Sequence, residues 1–324
     1  MDGLFDLLRC HSTPGDEDEV AQYLLAAWAG AGWETSSHGR YAVSARLPGG
    51  RVDGPTVLVC AHMDSPGYTV EQIGEDGLVL VRLGGAHLGE RPVPGVLKVG
   101  GEHHRVVLQP VPDDPERCRT EGITGVAHGD RACFLAGPQL VAEQLLESPF
   151  LDNRAGCWAL VALARGLRQN PDINVVLGAT SCEEIGGFGA AVLARAVQPD
   201  AVICLDATYE DELQDVRLGH GPVLTLSDAS VIVGPALRDR FQAFCRARSL
   251  PLQTEVYNYS GTDARAFPHQ GLPAPVYALL LPTRGNHTPT ETAHVADLHA
   301  WLDLLHVLLA PGAGHGLWDV GFAP

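Results

Sequence analysis

Four short apolar segments, each followed by a residue that can bind a metal ion, limit what this chain can fold into more than any other feature of its sequence. Each has the length and apolar character of a buried strand: Thr56–Ala61, Asn174–Ala179, Ala201–Leu205 and Pro275–Leu281. Helix-like segments, such as 156–168 and 238–248, separate them. The alternation predicts an α/β fold, in which a mixed sheet is flanked by helices on both faces.

The stretch between residues 67 and 147 has a different texture, with short β-like runs separated by turn residues. Three of these runs are Gly77–Val81, Gly95–Val99 and Arg105–Val111. The segment 74–77 has the composition of a hairpin turn. We therefore predict that a smaller, barrel-like β domain at 67–147 is inserted into a larger domain formed by 1–66 and 148–324.

Composition excludes several classes of protein. The chain of 324 residues carries a formal net charge of −17, which repels nucleic acid and anionic membrane surfaces. No run approaches the roughly 20 consecutive apolar residues that a membrane span requires. The first residues lack the pattern of a secretory signal, and the eight cysteines include no CxxC pair. We therefore expect a cytoplasmic protein with reduced cysteines that binds neither nucleic acid nor membrane.

Seven residues with metal-binding side chains stand where the predicted strands end or where a helix begins. They are His62 and Asp64 after the first strand, Glu183 and Glu184 after the second, Asp206 after the third, His287 past the fourth, and Asp152 at a helix start. Because open α/β sheets bind ligands beside the carboxyl ends of their strands, we expect these side chains to meet at one edge. Imidazole nitrogen with carboxylate oxygen suits Zn²⁺, with Co²⁺ and Mn²⁺ as alternatives.

Each of these residues has a simpler structural explanation when it is taken alone. Asp152 could be only a helix N-cap, and Asp206 could be only a turn residue that starts the next loop. The occurrence of all seven at one sheet edge favours a metal site. Alternate residues of a strand point to one side, so Asp64 could also reach the His62 imidazole and fix its tautomer. Asp263 stays open between a structural loop residue and one that faces a substrate.

Six motifs, in this order along the chain, resemble those of a known enzyme family. They are Ala61–Asp64, Leu151–Gly156, Glu183–Gly186, Leu205–Asp206, Gly261–Ala264 and Pro282–Pro289. The chain resembles the dinuclear metallo-aminopeptidases that include the tetrahedral aminopeptidases and the glutamyl aminopeptidases, some of them once described as cellulases or endoglucanases. The resemblance implies a zinc-exopeptidase-like fold, peptide substrates and a homo-oligomer that the inserted β domain helps to assemble.

The resemblance also implies a role for each candidate residue. Two divalent metal ions, most simply Zn²⁺, would be held by five ligands: His62, Asp152, Glu184, Asp206 and His287. Asp152 would bridge the two ions, Glu183 would be the general base, and Asp64 would orient His62. The chain departs from the family at 65–66 and at 285–286, which leaves substrate preference and assembly open.

Other functions are compatible with parts of the same pattern. The two metals could serve a deacylase that hydrolyses N-acyl amino acids, because the metal geometry is common to both reactions. A catalytically silent oligomeric relative is a further alternative, although all seven positions are chemically competent. A carbohydrate hydrolase is disfavoured because its two carboxylates have no need of the histidines. The sequence therefore favours a metal-dependent aminopeptidase that removes N-terminal residues from peptides.

Overall fold

The computed structural model describes residues 1–51, 53–168, 170–312 and 317. Its α-helices are α1 (Leu4–Arg9), α2 (Asp18–Gly30), α3 (Leu151–Gly166), α4 (Phe188–Val197), α5 (Pro235–Ala247), α6 (Ala266–His269) and α7 (Val295–Leu308). In α2, Val20, Leu24 and Trp28 recur every four residues and are fully buried, whereas Asp18 and Glu19 occupy the first turn. This helix forms because one apolar stripe faces the core and acidic residues stand at the positive end of the helix dipole.

The strands form one large sheet and one closed barrel. Those of the large sheet are β1 (Glu34–His38), β2 (Ala42–Arg46), β3 (Thr56–His62), β10 (Gln139–Val141), β11 (Leu145–Ser148), β12 (Asn174–Thr180), β13 (Ala201–Tyr209), β14 (Val223–Ser227), β15 (Gln253–Val256), β16 (Val276–Arg284) and β17 (Glu291–His294). Those of the barrel are β4 (Gly67–Gly74), β5 (Gly77–Leu83), β6 (Val93–Val99), β7 (Glu102–Val111), β8 (Asp114–Thr120) and β9 (Arg131–Phe134).

The large sheet is mixed, with a parallel centre and antiparallel flanks. Its main order is β1-β2-β12-β3-β13-β16-β17-β11-β10, and β14 joins β15 to β16 off this path. The four central strands β12, β3, β13 and β16 run parallel. Their carboxyl ends therefore lie along the same edge, with Thr180 paired in register with His62. This arrangement confirms the predicted fold class.

Helices cover both faces of the sheet, as expected. Side chains of β3 alternate between two apolar clusters, because successive residues of a strand point to opposite faces. Val57, Val59 and Ala61 lie in the cluster that includes α2, α3 and α7. On the other face, Leu58 and Cys60 pack in a cluster with residues of α4 and α6.

The predicted strands correspond to β3, β12, β13 and β16, with differences at their ends. The third strand continues to Tyr209 rather than ending at Leu205, because its backbone remains paired with β16 up to Thr283. Asp206 therefore lies within the strand instead of following it. The predicted helix at 156–168 begins earlier, at Leu151. None of the helices in the described ranges has both the length and the apolar character needed to cross a bilayer.

The barrel closes in the order β4-β5-β8-β7-β6-β9, and β9 pairs again with β4. Gly67 is needed at this closure, since a Cβ atom there would lie 2.5 Å from the backbone oxygen of Ala132. The chain then returns to the large sheet through β10 and β11, where β10 pairs with β11 and β11 pairs with β17. The barrel strands thus span 67–134, and the domain limits drawn at residues 67 and 147 stay a proposal.

Candidate metal centre

Six of the seven candidate residues line one cavity of about 230 Å³ at the carboxyl edge of the parallel strands. They come from five different segments: His62 from the end of β3, Asp152 from the kinked, non-helical start of α3, Glu183 and Glu184 from the 3₁₀ turn after β12, Asp206 from β13, and His287 from the loop before β17. The seventh residue, Asp64, is fully buried and does not line this cavity. The sheet topology thus gathers side chains that are distant in sequence.

His62 lies between two carboxylates. Its Nε2 atom is 3.1 Å from Asp152 Oδ1 and 3.2 Å from Asp206 Oδ1. The imidazole is 2% exposed, so these contacts form away from bulk solvent. The other ring nitrogen, Nδ1, lies 2.9 Å from the backbone oxygen of Asp64. With Nδ1 engaged at that oxygen, Nε2 is the atom left to face the cavity and to serve as a ligand.

Asp152 also faces a second histidine. Its other oxygen, Oδ2, lies 3.4 Å from His287 Nε2 and accepts a 3.5 Å hydrogen bond from the Asn286 amide. The same His287 nitrogen lies 3.4 Å from Glu184 Oε1. The two oxygens of one carboxylate therefore point to two separate groups of ligands, which is the geometry that a bridging aspartate requires.

Two buried oxygens at the cavity indicate that the site suits cations. Within the described ranges, neither Asp152 Oδ1 nor Glu184 Oε1 accepts a hydrogen bond of acceptable geometry. Ligand atoms of His62, Asp152 and Glu184 all lie within 4.8 Å of one another. Buried carboxylate oxygens without donors are costly unless a cation neutralises them. The donor set of imidazole and carboxylate fits the predicted divalent metals.

The charges in the cluster perturb one another strongly. Burial opposes the charged form of His62, yet the carboxylates of Asp206 and Asp152 outweigh it and raise its pKa well above the usual value. The pKa of His287 rises to about 10, because Asp152 and Glu184 outweigh its burial. Burial raises the pKa of Glu184 to about 8. The same carboxylates that favour protonated histidines would favour a bound cation in this cavity.

Glu183 lines the same cavity as the five proposed ligands. Its side chain is 10% exposed, and burial raises its pKa well above the usual value. Arg265 also lines the cavity, and its Nη2 atom lies 3.6 Å from Glu183 Oε1. Glu183 follows Cys182, whose backbone is left-handed with φ 61°, so the chain turns sharply at the end of β12. This turn brings both glutamates toward the cavity.

The barrel contributes to the rim of the site. The backbone N–H of His87, in the loop between β5 and β6, donates a 2.8 Å hydrogen bond to the backbone oxygen of His287. A Cβ atom at Gly85 would lie 2.5 Å from His287 Nδ1, so the loop can approach the imidazole this closely only with glycine. The loop therefore covers one side of His287 and limits where its ring can lie.

Sequence reasoning missed three residues of the site and left a fourth open. Arg265 and Asn286 line the cavity, and Glu291 lies behind it. No periodicity or spacing could have indicated them, because each acts through a contact that only the folded chain creates. Asp263, whose role the sequence left open, is 3% exposed and accepts a hydrogen bond from the Thr180 hydroxyl. Burial raises its pKa to about 7.

The fold matches solved aminopeptidases along nearly the whole chain. An aminopeptidase of the archaeon Desulfurococcus kamchatkensis superposes with a TM-score of 0.88 at 22% identity, over 97% of this chain and 95% of that one. A peptidase of Pyrococcus horikoshii, TET1, which can assemble into a tetrahedron or a large octahedral shell, superposes with a TM-score of 0.84 at 21% identity, over 95% and 98% of the two chains. The fold is therefore of the aminopeptidase class.

Sequence comparison assigns the family. The chain belongs to the M42 glutamyl aminopeptidase family, whose sequence profile matches residues 118–304. The lysyl aminopeptidase of Pyrococcus furiosus is 27% identical over 285 residues, which cover 79% of this chain and 81% of that protein. This profile match confirms the family resemblance that the six motifs indicate.

Proposed function

We propose that this protein is a metal-dependent aminopeptidase that removes N-terminal residues from peptides by means of two divalent metal ions. The observation that carries the proposal is the position of Asp152, whose two carboxylate oxygens face His62 on one side and His287 on the other. Family membership supports the aminopeptidase activity.

The five ligands divide into two groups that share Asp152. His62 and Asp206 would hold one ion, and Glu184 and His287 would hold the other. Zn²⁺ fits these donors best, and Co²⁺ and Mn²⁺ are alternatives. When bound, a pair of such ions polarises the scissile carbonyl and acidifies the attacking water. Asp152 Oδ1 and Glu184 Oε1, which accept no hydrogen bond of acceptable geometry from the described residues, would be stabilised by such an ion.

Glu183 is the residue proposed to move protons. It lines the cavity beside the five ligands but is left out of both groups, so its carboxylate is available to react. It would accept a proton from water as the new bond from oxygen to the carbonyl carbon forms. It would then give that proton to the amine as the bond between carbon and nitrogen breaks. Asp64 supports this step by holding the turn that carries Glu183.

The proposal includes a homo-oligomer in the cytoplasm, with peptides as substrates. The TET1 peptidase of Pyrococcus horikoshii, whose fold this chain shares, can assemble into a tetrahedron or a large octahedral shell. The barrel of the present chain is the candidate surface for such assembly. Its loop at His287 would connect assembly with access to the cavity.

Elemental analysis of the purified protein, together with a panel of chromogenic substrates, tests the proposed function. We expect about two ions per chain, in line with a dinuclear site. We also expect hydrolysis of unblocked aminoacyl amides and no hydrolysis of N-acetyl amino acids. Cleavage of only the acetylated compounds would indicate a deacylase instead. A metal-loaded protein that cleaves neither class would indicate a silent relative.

A further inference from the structure

Glu291 is a buried acid that contacts the backbone of two proposed metal ligands. It is the first residue of β17 and is 1% exposed. Its Oε2 atom accepts a 2.9 Å hydrogen bond from the backbone N–H of Asp152, and its Oε1 atom accepts a 3.0 Å hydrogen bond from the backbone N–H of His287. Each oxygen of this one side chain therefore fixes a different segment of the site.

The two segments need this support, because each contains a residue in a strained backbone conformation. His287 itself is left-handed, with φ 66°, and Phe150 just before the start of α3 is also left-handed, with φ 71°. Such conformations are unfavourable for residues other than glycine and persist only where surrounding contacts hold them. The Glu291 carboxylate accepts one hydrogen bond from each segment. In each case the donor is the backbone N–H of the proposed ligand itself.

A carboxylate suits this position better than its neutral analogues. Both backbone groups are donors, so the side chain must offer two acceptors. A glutamine would place an amide NH₂ against one of the two N–H groups and lose that hydrogen bond. A buried N–H without a partner costs about 1–3 kcal/mol. The segment released in this way would be free to move its ligand.

We infer that Glu291 is a positioning residue of the metal centre, which sets the separation of Asp152 and His287 from behind the site. The inference rests on the proposed function, because it concerns the ligands of the same two ions. Residues of this kind, which touch ligands rather than metal, change metal affinity by about 10–100-fold when they are substituted. Glu291 should therefore affect metal binding beyond any effect on folding.

Asp297 provides a matched control within the same chain. It is fully buried in α7, and its two oxygens accept 2.6 Å hydrogen bonds from the backbone N–H groups of Gly219 and Gly221. It thus makes the same kind of double contact as Glu291, but to a loop that does not line the cavity. Replacing Asp297 with Asn removes an equivalent buried acceptor without touching a proposed ligand.

Cobalt binding to the full-length protein, freed of metal with a chelator, tests the inference. Titration with Co²⁺ is followed by visible absorption and by calorimetry for the wild type, Glu291→Gln and Asp297→Asn. We expect Glu291→Gln to weaken Co²⁺ binding by about 10–100-fold and to alter the absorption bands. Asp297→Asn should lower the melting temperature and keep the wild-type affinity and spectrum.

Several outcomes would overturn the inference. Wild-type Co²⁺ affinity in Glu291→Gln would do so, as would an equal loss in Asp297→Asn. If Glu291→Gln does not fold, Glu291→Asp decides, since it keeps both oxygens but withdraws them by one methylene. That variant should bind Co²⁺ more weakly than the wild type, and unchanged binding overturns the inference. A wild type that binds no Co²⁺, Zn²⁺ or Mn²⁺ would overturn the proposed function as well.

Discussion

The carboxylate of Asp64 accepts a 3.1 Å hydrogen bond from the backbone N–H of Glu183. Its second oxygen accepts another, also of 3.1 Å, from the backbone N–H of Glu184. The same carboxylate lies 3.7 Å from His62 Nδ1, which is closer to the backbone oxygen of Asp64, at 2.9 Å. The side chain of Asp64 therefore holds the glutamate turn, and its main chain orients the imidazole.

This arrangement predicts the effect of Asp64→Asn. The amide can accept from only one of the two N–H groups, so the turn that carries Glu183 should shift. We expect kcat to fall by about 10–100-fold with little change in KM, because the substrate-binding surface is not altered. Steady-state kinetics on an aminoacyl amide measure this change. Asp130→Asn, which alters a backbone contact to Ala127 in the barrel, should leave kcat at the wild-type value.

Glu183→Gln should separate metal binding from chemistry. The substitution keeps the size of the side chain and removes its ability to accept a proton. We expect kcat to fall by about 10²–10⁴-fold, the usual contribution of a general base, while the metal content stays at the wild-type level. Kinetics and elemental analysis of the same sample measure both quantities. Loss of metal in this variant would show instead that Glu183 is a ligand. Glu212→Gln, at an exposed position, serves as the control.

His287→Ala should reduce the number of bound ions from about two to about one. The variant removes a ligand from the group that includes Glu184, whereas His62 keeps its contacts with Asp152 and Asp206. Elemental analysis after dialysis measures the number of ions per chain. His299→Ala, at an exposed position of α7, should retain both ions. An unchanged content in His287→Ala would exclude His287 from the ligand set.

His11 should make the protein less stable in mild acid. Burial lowers the pKa of this imidazole to about 4, although Asp16 acts in the opposite direction. In the unfolded chain the pKa returns to about 6.5, so the unfolded state binds the proton more readily. The contribution of His11 to the free energy of unfolding is therefore complete above pH 6.5 and is lost as the pH falls toward 4. The loss amounts to about 3 kcal/mol.

His11→Gln tests this pH dependence, because the glutamine side chain is not ionisable. Denaturant unfolding of the metal-free protein at pH 7 and at pH 4.5 gives the difference in free energy for each variant. The drop in the free energy of unfolding between pH 7 and pH 4.5 should be smaller in His11→Gln than in the wild type. This comparison does not depend on how stable either protein is at pH 7. His128→Gln, at an exposed position of the barrel, should keep the wild-type difference. An equal difference in His11→Gln would contradict the prediction.

Much of the architecture could be predicted because it depends on burial, which leaves a pattern in the sequence. A parallel strand that is covered on both faces must be apolar throughout, and β3 and β12 were recognisable for this reason. The end of β13 was harder to place. Its last residues, from Ala207 to Tyr209, include polar and partly exposed side chains, although their backbone remains paired with β16.

The gathering of the candidate ligands was also predictable, since parallel strands end at a common edge. The contacts that hold the ligands were not. Glu291 has the appearance of an ordinary strand residue, and only the folded chain places it behind both Asp152 and His287. The position of Arg265 beside Glu183 depends in the same way on a loop that follows β15. Residue types indicate chemistry, whereas such contacts arise from tertiary structure.

The closed barrel has a consequence for how copies of this chain can associate. Because β9 pairs with both β6 and β4, the described barrel strands leave no edge at which a strand from another copy could be added. Any interface built on the barrel must consist of side chains and loops. A few substitutions on such a surface can alter the angle at which two copies meet, while the strand pairing of the barrel stays intact. Assemblies of different size could therefore evolve on one scaffold.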